Sequence, residues 1–116
     1  YVTRLDILEK GLRLVSDGRQ YAIPVGRIDL LCKGADGKYV VVEIKADEAN
    51  DSVFGQILRY IGWVHRNLPS GNDNVRGIIL AGQFPETARY SRIGLLRADH
   101  EKFLRFKRHG LHATDT

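Results

Sequence analysis

The stretch GRIDLLCKGADGKYVVVEIKADEANDSVFGQILRYIGW, residues 26–63, decides the fold because it contains the signals of a β-hairpin followed by a helix. RIDLLCK and KYVVVEIK are rich in branched apolar residues, and they flank GADG, whose Asp36-Gly37 step favours a tight turn. We therefore predict two antiparallel strands. The second strand places an acid and a base, Glu43 and Lys45, on one face of an otherwise apolar run.

The register of this hairpin follows from its apolar faces. Side chains alternate between faces, so Asp29 shares a face with Leu31, and Glu43 with Lys45. A short loop and the matching of the two apolar faces predict pairs whose residue numbers sum to 72, which sets Asp29 opposite Glu43 unless a bulge shifts the register. The faces to be matched are Ile28, Leu30 and Cys32 on the first strand and Val40, Val42 and Ile44 on the second.

Two facing carboxylates need a compensating cation. Like charges across an antiparallel ladder are destabilising, and burial raises the pKa of at least one of the acids. Lys45 stands about 6 to 7 Å of backbone from Glu43 and cannot easily serve both acids, whereas a divalent ion bound by oxygen ligands can. A weak surface salt bridge between Glu43 and Lys45 is the common alternative. Asp29, the apolar flanks and the next helix favour the ion.

That helix is predicted to begin at Asn50 or Asp51 and to run to Leu68, with Val53, Ile57, Tyr60, Ile61 and Val64 along its buried side. Gln56 and Tyr60 are four residues apart and share a face. Taken alone, Tyr60 is most often a core aromatic and Gln56 a solvated residue. Trp63 is favoured as a core residue over a base-stacking one.

The remaining segments complete an α/β fold. YVTRLDILEKG predicts the end of a helix at Gly11, and LRLVS and QYAIPVG predict two short strands around a turn at DGR. VRGIILAG predicts a strand buried on both faces, residues 85–97 a helix, KFLRFKRH an edge strand, and residues 110–116 a frayed tail. We expect one domain over residues 1–116, with a central mixed sheet of four or five strands flanked by helices.

Composition narrows the functional classes. The 116 residues are 43% hydrophobic and 28% charged with a net charge of +4, which suits a polyanionic partner without requiring one. The single cysteine, Cys32, excludes an intrachain disulfide, and no secretory or membrane-spanning pattern occurs, so a cytoplasmic protein without membrane contact is expected. Because the chain lacks methionine, we expect it to be truncated at its N-terminus.

Together, these motifs resemble the PD-(D/E)XK nuclease superfamily, and within it the NucS/EndoMS-like endonuclease domain. The resemblance runs through VGRIDLL with Asp29, VVVEIK with Glu43 and Lys45, and GQILRYIGW with Gln56 and Tyr60, and it continues in VRGIILAG and ARYS. It implies a restriction-endonuclease-like core and a metal-dependent hydrolase of DNA phosphodiester bonds. Mismatched, branched and single-stranded DNA all remain open as substrates.

The resemblance also implies residue roles. Asp29 and Glu43, with the backbone carbonyl of Ile44, would hold Mg²⁺ or Mn²⁺, and Lys45 would orient or deprotonate the attacking water. Gln56 and Tyr60 would support the site from the helix. The predicted DNA contacts are Arg27, Arg59, Lys102, Arg105 and Lys107.

One family feature is not found in this sequence. Related domains place a further acid on a helix upstream of the first strand, and that position falls before Tyr1, with Asp6 and Glu9 the nearest acids. A catalytically weakened DNA-binding module is therefore the alternative function, and a purely structural or dimerising module is a third. A homodimer, and further domains outside this chain, also remain open.

Overall fold

The computed structural model describes residues 5–71 and 74–97, which form a five-stranded sheet with one long helix. The elements in chain order are β1 (Arg13–Ile23), β2 (Gly26–Lys33), β3 (Tyr39–Glu48), α1 (Asp51–Asn67), β4 (Arg76–Gln83), a 3₁₀ helix (Glu86–Tyr90) and β5 (Gly94–Arg97). The strands lie side by side in chain order. The first three are antiparallel, and β3, β4 and β5 are parallel. This mixed sheet confirms the predicted α/β class.

The β2–β3 hairpin has the predicted register. Its pairs run from Lys33–Tyr39 to Leu30–Val42, so the residue numbers sum to 72. The turn is closed by the Gly37 amide, which donates to the Gly34 carbonyl at 2.9 Å, and Gly37 has the positive φ of 79° that glycine adopts without cost. The loop therefore fixes which residues of β2 and β3 face each other.

Helix α1 connects the parallel strands β3 and β4 and covers one face of the sheet. It begins after Asn50, whose side chain accepts hydrogen bonds from the backbone amides of Ser52 and Val53. Its buried residues recur at helical spacing, as predicted: Val53, Ile57, Tyr60 and Val64. They pack on Val41 and Ile79 at the centre of the sheet.

The opposite face is covered by the N-terminal segment, in which Leu5, Leu8 and Leu12 pack on Val40 and Val42. The predicted helix in this segment ends earlier than expected, because Leu5 is the last helical residue and turns follow up to Gly11. Cys32 lies in the same apolar layer, where burial raises the pKa of its thiol to about 12.

One facial assignment from the sequence is wrong. Ile28 packs with Leu31 in the layer beneath α1 and not with Leu30 and Cys32 on the other face. Strict alternation along β2 therefore fails around Asp29. The same point is where the pairing of β2 with β3 ends, after Leu30.

The predicted turn at DGR is also wrong, since β1 is one continuous strand of 11 residues. Its pairing with β2 shifts between Leu14 and Arg19, and Asp17 takes a positive φ of 59° inside the shift. A side chain at Gly18 would overlap the carbonyl oxygen of Leu31. The Asp17-Gly18 step therefore makes an irregularity within a strand and not a hairpin.

The helix predicted for residues 85–97 is replaced by two shorter elements. A 3₁₀ helix occupies Glu86–Tyr90, and β5 then pairs in parallel with β4 through Gly94 and Leu95. Hydrogen bonds to a strand already in place outweigh the weak helical preference of this segment. The predicted edge strand KFLRFKRH and the tail lie outside the described residues. No helix in residues 5–71 and 74–97 is both long and apolar enough to cross a membrane.

Candidate active site

Asp29 and Glu43 meet where the β2–β3 ladder ends. If the register of the hairpin is continued by one position beyond the last pair, Leu30–Val42, Asp29 lies opposite Glu43. In place of a backbone acceptor from β2, the backbone amide of Ile44 donates to Asp29 Oδ2 at 2.8 Å. The carboxylate of Asp29 thus takes over a hydrogen bond of the ladder, and this holds it beside Glu43.

Glu43 is the unusual member of the pair. Only 2% of it is exposed, and its Oε1 is buried without a hydrogen-bond partner among the described residues. Burial, followed by the hydrogen bond with Asp29 and the negative charge of Asp29, raises the pKa of Glu43 to about 9. At neutral pH and without a cation, Glu43 therefore keeps its proton.

Lys45 lies two residues further along β3 and is half-buried. Its positive charge lowers the pKa of Glu43, but this effect is smaller than the opposing effects of burial and Asp29. Within residues 5–71 and 74–97, Lys45 forms no salt bridge. Lys45 is therefore close enough to lower the pKa of Glu43, but it does not neutralise the pair of carboxyl groups.

Gln56 and Tyr60 join the helix to the start of β2. Tyr60 is 2% exposed, and its hydroxyl oxygen accepts from Gln56 Nε2 at 2.7 Å and from the Arg27 backbone amide at 3.3 Å. The structure brings these two predicted site residues together, but within the described residues they hydrogen-bond with each other and with β2, not with the carboxylates. Their catalytic role stays a prediction.

Sequence reasoning missed two residues next to the site. Gly26 has φ of +149°, and a side chain there would overlap the Tyr60 hydroxyl, so only glycine allows this approach of helix and strand. Gln20 lies on the other side of Asp29, with its Nε2 3.4 Å from Asp29 Oδ1. A glycine directly before RIDLL was a usable signal for the first, whereas no sequence signal identified the second.

The predicted DNA contacts stay predictions. Arg27 and Arg59 are exposed, as a contact with a charged backbone requires. Trp63 is half-buried against the layer beneath α1, which supports its assignment to the core. The residues Lys102, Arg105 and Lys107 lie outside the described part of the chain.

The chemistry of the pair fits a divalent cation. Asp29 and Glu43 offer oxygen ligands, and the buried Oε1 of Glu43 lacks the partner that such an atom normally has. Within the described ranges, no group of three or more His, Cys, Asp or Glu side chains is placed to bind a metal. The nearest upstream acids are engaged elsewhere, since Asp6 accepts from the Gly11 amide and Glu9 pairs with Arg76.

The fold is shared with solved structures of other proteins. The fold is similar to a repair endonuclease from Pyrococcus abyssi, with a TM-score of 0.69 and 23% identity over 81% of this chain and 41% of that one. It is also similar to EndoMS in a complex with double-stranded DNA, with a TM-score of 0.67 and 23% identity over 78% of this chain and 38% of that one. The α/β architecture is thus the one found in these two proteins.

The sequence identifies the family more narrowly. The model of the endonuclease NucS C-terminal domain matches residues 1–109, so the chain belongs to that family and the resemblance is confirmed. Endonuclease NucS from Parafrankia sp. is 40% identical over 96 residues, or 83% of this chain, and that from Methanocaldococcus jannaschii is 34% identical over 76 residues, or 66%. The matched regions make up 40% and 27% of those two relatives.

Proposed function

We propose that this chain is the nuclease domain of a DNA endonuclease and that it hydrolyses phosphodiester bonds with Mg²⁺ or Mn²⁺ held by Asp29 and Glu43. The observation that carries this proposal is the buried Glu43, whose Oε1 has no partner in the described residues and whose neighbour is a second acid. An uncompensated buried acid costs folding free energy, so its position next to Asp29 needs a reason beyond stability.

The roles of the surrounding residues follow from their contacts. The ion would polarise the phosphoryl oxygens and lower the pKa of bound water. Asp29 is oriented by the Ile44 amide, and the carbonyl of Ile44 is the proposed third ligand. Lys45 provides a compact positive charge beside Glu43, suited to the charge that develops on a phosphate under attack. Gln56 and Tyr60 hold the start of β2, and with it Asp29, in place.

DNA as the substrate is supported by charge and by relatives. The net charge is +4, and Arg27 and Arg59 are exposed on the two elements that Tyr60 connects. A structure of EndoMS with double-stranded DNA shares the fold. This chain spans less than half of each of these relatives, so the relatives do not define which DNA it acts on. Mismatched, branched and single-stranded DNA are therefore all tested as substrates.

The test combines cleavage with metal binding. We expect the chain to nick labelled DNA in Mn²⁺ or Mg²⁺ and to lose this activity in Asp29→Asn and Lys45→Ala. Asp47→Asn is the matched control, because Asp47 is an exposed acid further along the same strand. In calorimetric titrations with Mn²⁺, wild type and Asp47→Asn should bind and Asp29→Asn should not. Full cleavage by both site variants would reject the assignment.

A second candidate function is suggested by the ligand set. Only two carboxylates meet in the described residues, and no third acid, histidine or cysteine joins them. A domain that binds DNA without cutting it would show salt-sensitive DNA binding and no product at any concentration of Mn²⁺. Cleavage by the wild-type chain excludes this second function.

A further inference from the structure

We infer that Gln20 is a positioning residue that fixes the carboxylate of Asp29 for metal binding. The inference rests on the proposed function. Gln20 is on β1, outside every motif that pointed to the site, and its Nε2 lies 3.4 Å from Asp29 Oδ1. Asp29 Oδ2 is held from the other side by the Ile44 amide at 2.8 Å.

The register of β1 places Gln20 directly across from Asp29. The position lies between the observed pairs Arg19–Leu30 and Tyr21–Ile28. On the far side of Asp29, the hairpin register places Glu43. The three residues thus form a row across three adjacent strands, with Asp29 in the middle.

The irregularity in β1 decides which side chain occupies this place. Before it, β1 pairs as Arg13–Lys33 and Leu14–Cys32. Continued without a shift, this earlier register would set Asp17 opposite Asp29, adding a third carboxylate to the row. The shift instead supplies a neutral amide, which donates a hydrogen bond and adds no negative charge.

The backbone of Gln20 is held in an unfavourable conformation to achieve this. Its φ is +48°, in the left-handed region that is unfavourable for a residue other than glycine. Gln20 is exposed, so its side chain gains little from burial that would offset this cost. The contact with Asp29 gives the conformation a function.

Donors on both oxygens orient Asp29 without saturating it. A carboxylate has about four lone-pair positions, so two hydrogen bonds leave room for a cation. Residues that orient a metal ligand typically change metal affinity by about 10- to 100-fold when they are mutated. We expect an effect of that size from loss of the Gln20 amide.

The test uses Gln20→Gly and Gln20→Ala in the full chain, with Asp17→Gly as the matched control. Gln20→Gly removes the amide but relieves the left-handed backbone, so its melting temperature without metal should equal or exceed that of wild type. Its Kd for Mn²⁺ in calorimetry should rise about tenfold or more, and so should the Mn²⁺ concentration for half-maximal cleavage. Asp17→Gly relieves similar strain at φ 59° without removing the amide and should bind Mn²⁺ as wild type does.

The outcomes separate this inference from the proposed function. Wild-type Mn²⁺ affinity in Gln20→Gly overturns the inference and leaves the two-carboxylate site intact. Weaker binding accompanied by a lower melting temperature also overturns it, because the residue then acts through folding. If Gln20→Ala does not fold, Gln20→Gly decides alone. If the wild-type chain binds no Mn²⁺, the proposed function fails and the inference fails with it.

Discussion

Two side-chain pairs in this fold, Glu9–Arg76 and Glu43–Asp29, contrast in how the charge of the glutamate is balanced. Glu9 is paired with Arg76, whose Nη1 donates to Glu9 Oε1 at 2.6 Å and whose Nη2 donates to Oε2. These side chains are 31% and 40% exposed, and the hydrogen bond with Glu9 raises the pKa of Arg76. Glu43, in contrast, is buried against a second acid, Asp29. The first acid is neutralised by the protein itself, whereas the second lies beside another carboxyl group.

The contrast shows that the surroundings of a glutamate, more than its residue type, determine how its charge is balanced. Both glutamates follow apolar segments and each has a charged partner within reach. Glu9 connects the N-terminal segment to the start of β4, where water screens the pair. Glu43 is only 2% exposed, so the same carboxyl group becomes costly there when it is ionised.

The largest expected difference between the two pairs is in cleavage. Glu43→Gln should lower the nicking rate in Mn²⁺ by at least about a hundredfold, because it removes a proposed ligand of an ion that would stabilise the transition state by several kcal/mol. Glu9→Gln should stay near the wild-type rate, since its partner is Arg76. A gel assay of supercoiled DNA measures both variants. Equal losses of nicking rate in the two variants would contradict the different roles assigned to Glu43 and Glu9.

The next effect is on stability as a function of pH. In the folded state the pKa of Glu43 is about 9, well above its ordinary value of 4.5. Between these values the unfolded chain releases a proton that the folded chain retains, so the free energy of unfolding falls as pH rises. Glu43→Gln removes this loss and should be more stable than wild type at pH 8, by on the order of 3 kcal/mol, and similar to wild type at pH 4.

Urea unfolding of both proteins in EDTA at several pH values measures that difference. Comparing the two proteins cancels the groups that they share, such as the exposed His65. Glu9→Gln is the control and should show no such gain at pH 8. A constant difference across the pH range would mean that Glu43 ionises normally.

A smaller effect separates the glycines beside the two pairs. Gly26→Ala should destabilise the fold by about 2 kcal/mol, because the new methyl group meets the buried Tyr60 ring at a φ of +149°. At Gly34 the methyl group would lie 2.9 Å from Arg76 Nη2, the end of a flexible side chain that can move. Gly34→Ala should therefore cost less than Gly26→Ala in thermal melts. The reverse order would argue against a tightly fixed Tyr60.

The smallest expected effect is loss of the exposed pair. Arg76→Ala should lower the free energy of unfolding by no more than about 1 kcal/mol, because both side chains already contact water. Measurements in low and high salt should show the difference shrinking as salt screens the wild-type pair. Mn²⁺ affinity should not change. A loss of Mn²⁺ binding would show that the Glu9–Arg76 pair influences the site at Asp29 and Glu43, contrary to this expectation.

Much of the site was predictable because local and long-range signals agree there. The GADG turn and the apolar faces define one register, and that register sets Asp29 opposite Glu43 without knowledge of the remaining fold. The burial of Glu43 follows from its place after three consecutive valines in a central strand.

The errors occur where a distant contact decides the local structure. Asp17-Gly18 is a good local turn signal, but the close approach of the Leu31 carbonyl to Gly18 makes it part of a strand. β5 forms because β4 offers it a parallel edge, which the segment's own residues do not reveal. Gln20 was missed for the same reason, since its place opposite Asp29 depends on the register shift in β1.

The buried cysteine has a practical consequence. Cys32 is the single cysteine of the chain and is buried, with a pKa of about 12, so maleimide reagents at neutral pH should leave it untouched. A cysteine introduced at an exposed position, such as Ala22, would then be the preferred attachment point for a fluorophore. Fluorescence energy transfer to labelled oligonucleotides could in this way follow how the domain approaches the proposed DNA substrate, without first removing the native thiol.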